Sequence, residues 1–77
     1  MDAKDVISAA VSDSGRKITA VSRDMGRTRI FLSSYISRGR LPSIELMAEI
    51  ADATGHDLLL RNRRTGNEII IDPPGHD

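Results

Sequence analysis

The stretch from Lys17 to Gly55 reads KITAVSRDMGRTRIFLSSYISRGRLPSIELMAEIADATG, and its punctuation decides the architecture. Ile18, Val21 and Met25 recur at helical spacing, so a helix is expected from Lys17 to Met25. Gly26 interrupts it after about two turns, because a glycine supplies the backbone reversal that a side chain would strain. Thr28 then offers a hydroxyl to cap a next helix running to Ser37 and carrying Ile30, Phe31, Leu32, Tyr35 and Ile36. Arg38-Gly39-Arg40-Leu41-Pro42 places a glycine and a proline where that helix must stop. Ser43 caps a further helix with Ile44, Met47, Ala48 and Ala51 on one face, closed by Gly55. Helices this short are barely stable alone and are expected to pack on one another.

Working outward, residues 2–12 set Ala3, Val6, Ile7, Ala10 and Val11 on one helical stripe, and Ser12-Asp13-Ser14-Gly15 breaks it. Beyond Gly55 the period changes. Leu58-Leu59-Leu60 and Ile69-Ile70-Ile71 flank a polar segment in which Gly66 can take the positive φ of a hairpin turn. The expected fold is mostly α, four or five helices with a C-terminal two-stranded β-hairpin. Residues 1–57 form the core, 58–72 the hairpin extension and 73–77 a flexible tail. Consecutive apolar residues on both strands put apolar side chains on both ribbon faces. One face is expected to cover the helices and the other to need a partner, which makes all six residues candidates for dimerisation.

Composition narrows the function classes. The 77 residues suffice for one small domain, and the absence of cysteine excludes disulfides and thiolate metal sites. No apolar run approaches the roughly 18 residues of a membrane span, and no signal-peptide pattern is present, so a cytoplasmic protein is expected. His56 and His76 are too few and too scattered for a metal site. No serine has a histidine or lysine at a spacing that would activate it, so neither an enzyme nor a cofactor is expected. The net charge is zero, yet Arg16, Lys17, Arg23, Arg27, Arg29, Arg38 and Arg40 oppose only Asp24 over residues 16–40, a local net charge of +6. Local positive potential, rather than overall charge, is what a phosphate-rich partner feels.

A helix, a three-residue turn containing Gly26 and a second helix form a helix-turn-helix unit, in which the second helix enters the DNA major groove. Val21, Met25 and Leu32 would wedge the two helices together. Residues 28–30 and 33–34 would then lie exposed at the start of the second. Together with the small residue Ser22, Gly26, the Thr28-Arg29 opening, Leu32, the Arg38-Gly39 pair and Pro42-Ser43, this stretch resembles the Xre family, the lambda-repressor-like fold of phage Cro and related repressors. It departs from the family pattern at Arg27, where an apolar residue is usual, and at Ile18, where glutamine is frequent.

The resemblance implies base-reading positions at Arg29, Ile30 and Ser33, with phosphate contacts near Lys17, Thr28, Ser37 and Arg38. The residues themselves suit these roles. Arginine forks onto guanine, serines at 33 and 34 can meet base edges, and isoleucine can touch a thymine methyl or be buried. Arg23, Arg27, Arg38 and Arg40 flank the site as phosphate clamps. Tyr35 is expected to bury its ring and offer its hydroxyl to a phosphate. With one Phe, one Tyr and no Trp, single-strand stacking is disfavoured. The expected partner is double-stranded DNA, bound by a homodimeric repressor. The competing reading is a protein-interaction module, such as an antitoxin with a toxin partner, although only the hairpin and the stretch Asp72–Asp77 are on offer to wrap one.

Overall fold

A computed structural model describes residues 1–75 of the chain. Its elements follow the sequence order closely: a 3-10 turn (Ala3–Asp5), α1 (Val6–Ser14), α2 (Ile18–Asp24), α3 (Phe31–Ser37), α4 (Ile44–Ala53), β1 (Leu58–Arg61) and β2 (Glu68–Ile71). About half the chain is helical, and the two strands form one antiparallel sheet. Among the described residues no helix is long and apolar enough to cross a membrane.

The core lies where the four helices meet. Ile7 and Val11 of α1, Val21 of α2, Leu32 of α3, and Leu46 and Ile50 of α4 are buried together. Ile18 and Met25 pack against them, so the expected wedge of Val21, Met25 and Leu32 is realised. On α4 the expected face is largely realised: Ala48 and Ala51 are buried and Met47 packs on the cluster. It is wider than expected, because Leu46 and Ile50 are buried as well, whereas Ile44 is 55% exposed. Only Glu45, Glu49 and Asp52 make a polar stripe, so a broad apolar arc competes for the core and Ile44 lies at its edge. Ser43 caps it as expected, its hydroxyl accepting from the Leu46 N–H at 3.1 Å. The expected break falls at the last residue of the Ser12–Gly15 stretch: α1 runs to Ser14 and ends at Gly15 in the left-handed conformation, φ 73°.

The α2–α3 connection carries the most consequential detail. Gly26 at φ 73° reverses the chain. The Gly26 N–H donates to the Arg23 carbonyl at 2.9 Å and the Arg27 N–H to the Ser22 carbonyl at 3.1 Å, the paired bonds of a Schellman ending. The following helix starts later than expected. Thr28 does not cap it: the Thr28 carbonyl accepts from Phe31 in a turn, and the N-cap position is Ile30, which has no side-chain acceptor. The missing cap comes from α2. The Ser22 hydroxyl, fully buried, accepts from the Leu32 N–H at 3.3 Å. The connection is therefore Met25–Ile30, longer than the expected three-residue turn.

The hairpin is present in the register Leu58–Ile71, Leu59–Ile70, Leu60–Ile69 and Arg61–Glu68, with Gly66 at φ 80° in the turn. Asn62 organises that turn by accepting the Arg64 and Thr65 N–H groups on its side-chain oxygen. Alternation puts Leu58, Leu60, Ile69 and Ile71 on one face and Leu59 and Ile70 on the other. The expectation that one face covers the helical core is not met. No strand residue is buried or packed on the central cluster, and contact with the body runs through α4 and β1. Two short strands carry more apolar surface than α4 can cover.

The hairpin base is held by a hydrogen-bonded chain. Thr54 Oγ1 donates to the Ile50 carbonyl at 2.7 Å and lies 2.9 Å from His56 Nδ1, while His56 Nε2 lies 2.7 Å from Asp13 Oδ2. This ties the end of α4 to the end of α1. The tail is only partly as expected: Pro73 is half-buried, and Pro73, Pro74 and Gly75 border an open cleft with Arg16, Asp24 and Met25. The remaining tail residues, His76 and Asp77, lie outside the described residues.

Replacing Ser22 by Ala removes the tertiary cap and leaves the Leu32 N–H buried without its partner. Urea unfolding is expected to register a loss of about 1–2 kcal/mol, against less than about 0.5 kcal/mol for Ser8→Ala on the exposed side of α1. Equal losses would contradict the cap.

Candidate nucleic-acid interface

Burying Leu32 fixes the rotation of α3, and helical periodicity then turns Ser33, Ser34 and Ser37 away from the core. Ser33 and Ser37 are exposed and Ser34 half-buried. Their hydroxyls are locally engaged, Ser33 donating to the Ile30 carbonyl at 3.1 Å and Ser37 to the Ser34 carbonyl at 3.2 Å. Each still has lone pairs to offer an incoming donor. Arg29 and Ile30 stand in the turn before α3 rather than in its first turn. Ile30 is 59% exposed, so the burial open to it on sequence grounds is not adopted.

A shallow groove of about 260 Å³ runs along this face, and among its lining residues are Thr28, Ile30, Ser34, Arg38 and Arg40. Five of the expected contact residues are thus gathered around the rings of Phe31 and Tyr35, which form the groove's apolar floor. The Tyr35 hydroxyl lies 3.5 Å from the Leu41 carbonyl, at the outer limit of a hydrogen bond, and the Arg40 guanidinium carbon sits 5.1 Å from the Tyr35 ring centroid.

The seven basic residues of 16–40 divide into two groups. Arg16 pairs with Asp24 and donates to the Ala53 carbonyl at 2.9 Å, closing α2 onto the end of α4. Arg27 lies 3.4 Å from a Glu49 carboxylate oxygen and 4.6 Å from the Phe31 ring centroid. It holds α3 against α4, so its charge is already answered and it stands apart from the other expected clamps. Lys17, Arg23, Arg29, Arg38 and Arg40 are exposed and form no salt bridge among the described residues. Lys17 and Arg23 belong to the two ends of α2, and Arg29, Arg38 and Arg40 to the turns on either side of α3.

Outside this face, Leu60 and Ile69 are 62% and 65% exposed and Ile70 is more than half exposed, while Leu58, Leu59 and Ile71 are half-buried. Arg61 and Glu68 pair across the strands at 3.0 Å. Among the described residues no group of three or more acidic or histidine side chains is placed to hold a metal. The Asp13–His56–Thr54 chain has no counterpart in the sequence reading, since its members are distant or unpatterned. The Thr54 hydroxyl is buried and bonded to the helix, so the chain ties elements together. None of the family models, curated proteins or solved structures compared with this chain matches it.

Arg27→Ala is expected to cost about 0.5–1.5 kcal/mol of stability, most of it the ring contact, because the ion pair is partly exposed and screened. Arg29→Ala should stay within about 0.5 kcal/mol of wild type. Thermal and urea unfolding check the pair; identical costs would mean that Arg27 does not brace α3.

Proposed function

We propose that the chain is a helix-turn-helix protein of lambda-repressor-like fold that binds double-stranded DNA and regulates transcription, acting as a homodimeric repressor. The observation that carries this reading is the sorting of charge around α3. Arg38 and Arg40 line the groove beside the exposed polar face of α3, Arg29 precedes that helix, and these three, with Lys17 and Arg23 at the ends of α2, form no salt bridge among the described residues, in a chain whose net charge is zero. In this reading Arg29, Ile30, Ser33 and Ser34 meet base edges. Lys17, Arg23, Thr28, Ser37, Arg38 and Arg40 meet phosphates, which fix register without reading sequence. The likeness of residues 17–55 to the Xre pattern supports the same assignment.

The exposed hairpin supports the dimer. A two-stranded ribbon is marginal alone in water, and both of its strands are open edges. Packing two ribbons about a twofold axis by the face that carries Leu60 and Ile69 would cover those two residues and place two α3 helices about 34 Å apart, one DNA turn. The same exposed residues also favour the second reading, a protein-interaction module; a stoichiometric protein partner that competes with DNA would support it.

Selection from a random duplex pool tests the function directly. A palindromic motif is expected, and a pool that remains unenriched contradicts the proposal. On the selected site Arg29→Ala should weaken binding by about 1–3 kcal/mol while sparing non-specific binding. Arg38→Ala should weaken all sequences alike and lower the salt slope by about 0.9. Indistinguishable behaviour of the two variants would remove the division between readers and clamps.

For the hairpin, Leu60→Lys with Ile69→Lys should leave the helical circular dichroism intact. The sedimenting species should shift from dimer to monomer. A wild-type protein that sediments as a monomer both free and on DNA contradicts the dimer.

A further inference from the structure

Three features tie Arg40 to Tyr35. Gly39 at φ 64° reverses the chain past α3, the Arg40 N–H donates to the Tyr35 carbonyl at 3.3 Å, and the Arg40 guanidinium lies over the Tyr35 ring. In this helix ending the residue two past the cap commonly packs on the residue whose carbonyl its N–H meets, and the contact is usually apolar. Here it is a cation on an aromatic face. The Tyr35 ring is itself braced, 5.8 Å from Phe31 at an angle of 47°. Phe31 carries Arg27 on its own face. Two arginines therefore lie over a pair of tilted rings with opposite fates: Glu49 answers Arg27, and Arg40 has no salt-bridge partner among the described residues.

Held over the ring by its central carbon, the Arg40 guanidinium has no hydrogen-bond acceptor among the described residues, so its N–H groups are free to fork onto a phosphate. An arginine already held in one orientation gives up less rotamer freedom when it binds. We propose that Tyr35 is a positioning residue whose ring presets the Arg40 guanidinium to receive a DNA phosphate at the edge of the groove. This rests on the DNA-binding reading above. It assigns Tyr35 a role through its ring, whereas the sequence pointed to its hydroxyl.

The test measures affinity for the selected duplex across a salt series for wild type, Tyr35→Phe, Tyr35→Leu, Arg40→Ala and the double variant Tyr35→Leu with Arg40→Ala. Thermal unfolding is followed in parallel. Tyr35→Phe keeps the ring and is expected to bind within about twofold of wild type with an unchanged salt slope. Tyr35→Leu should weaken binding about two- to fivefold, the strength of an exposed guanidinium–ring contact, and lower the salt slope towards that of Arg40→Ala. In the Arg40→Ala background Tyr35→Leu should add nothing.

The proposal is overturned if the two losses multiply, or if Tyr35→Leu weakens binding with the slope unchanged, because the ring would then act only through the fold. It is also overturned if Arg40→Ala leaves the slope intact, since Arg40 would meet no phosphate. A wild-type chain that binds no duplex overturns the DNA-binding reading itself, and this proposal with it.

Discussion

The buried hydroxyl of Ser22 is the contact on which the rest of the molecule's candidate surface depends. Ile30, at the head of α3, has no acceptor to offer, and the Leu32 N–H would face the interior unpaired. Ser22 supplies the acceptor from the neighbouring helix, and its own carbonyl receives the Arg27 N–H that completes the end of α2. One residue therefore closes one helix and opens the next. Alanine would fit but lacks the oxygen, while a larger polar side chain would hold the helices apart at a fully buried site. With Leu32 pinned inward by this contact, the outward direction of Ser33, Ser34 and Ser37 follows from helical geometry alone.

The electrostatics follow from the same packing. Arg16 and Arg27 are drawn into pairs with Asp24 and Glu49 because they lie where α2 and the turn after it approach α4. Within residues 16–40 the cations left over lie at the ends of α2 and around the ends of α3. A neutral chain can in this way keep a local excess of unpaired positive charge, and such an excess raises encounter rates with a polyanion at low ionic strength. The hairpin stands in contrast. Among the described residues nothing covers its exposed isoleucines and leucine, so the helical core is closed while that edge stays open.

Much of this was legible in the sequence. Gly26, Gly55 and Gly66 marked reversals, Ser43 marked a cap, and the hairpin triplets announced their strands and apolar faces, because each is a local signal. The Thr28 cap failed since the competing acceptor comes from another helix, a tertiary contact without local trace. The inward face of α4 was read correctly at Met47, Ala48 and Ala51 but not at Ile44, Leu46 and Ile50, because the apolar arc is broad and period alone does not choose its centre. Arg27 and Tyr35 were legible as types but not in their partners. Whether a cation is free or answered depends on Glu49, 22 positions away, or on a ring brought near by a chain reversal. The likeness to a repressor fold came from the pattern as a whole and remains a likeness.

Backbone amide shifts of labelled protein titrated with the selected duplex test the central claim most directly. The account predicts large perturbations over Thr28–Arg40 and at Lys17 and Arg23. They should fade as salt rises, with the hairpin amides little changed once the dimer has formed. Perturbations absent from α3, or centred on Leu60 and Ile69 with α3 untouched, would contradict it.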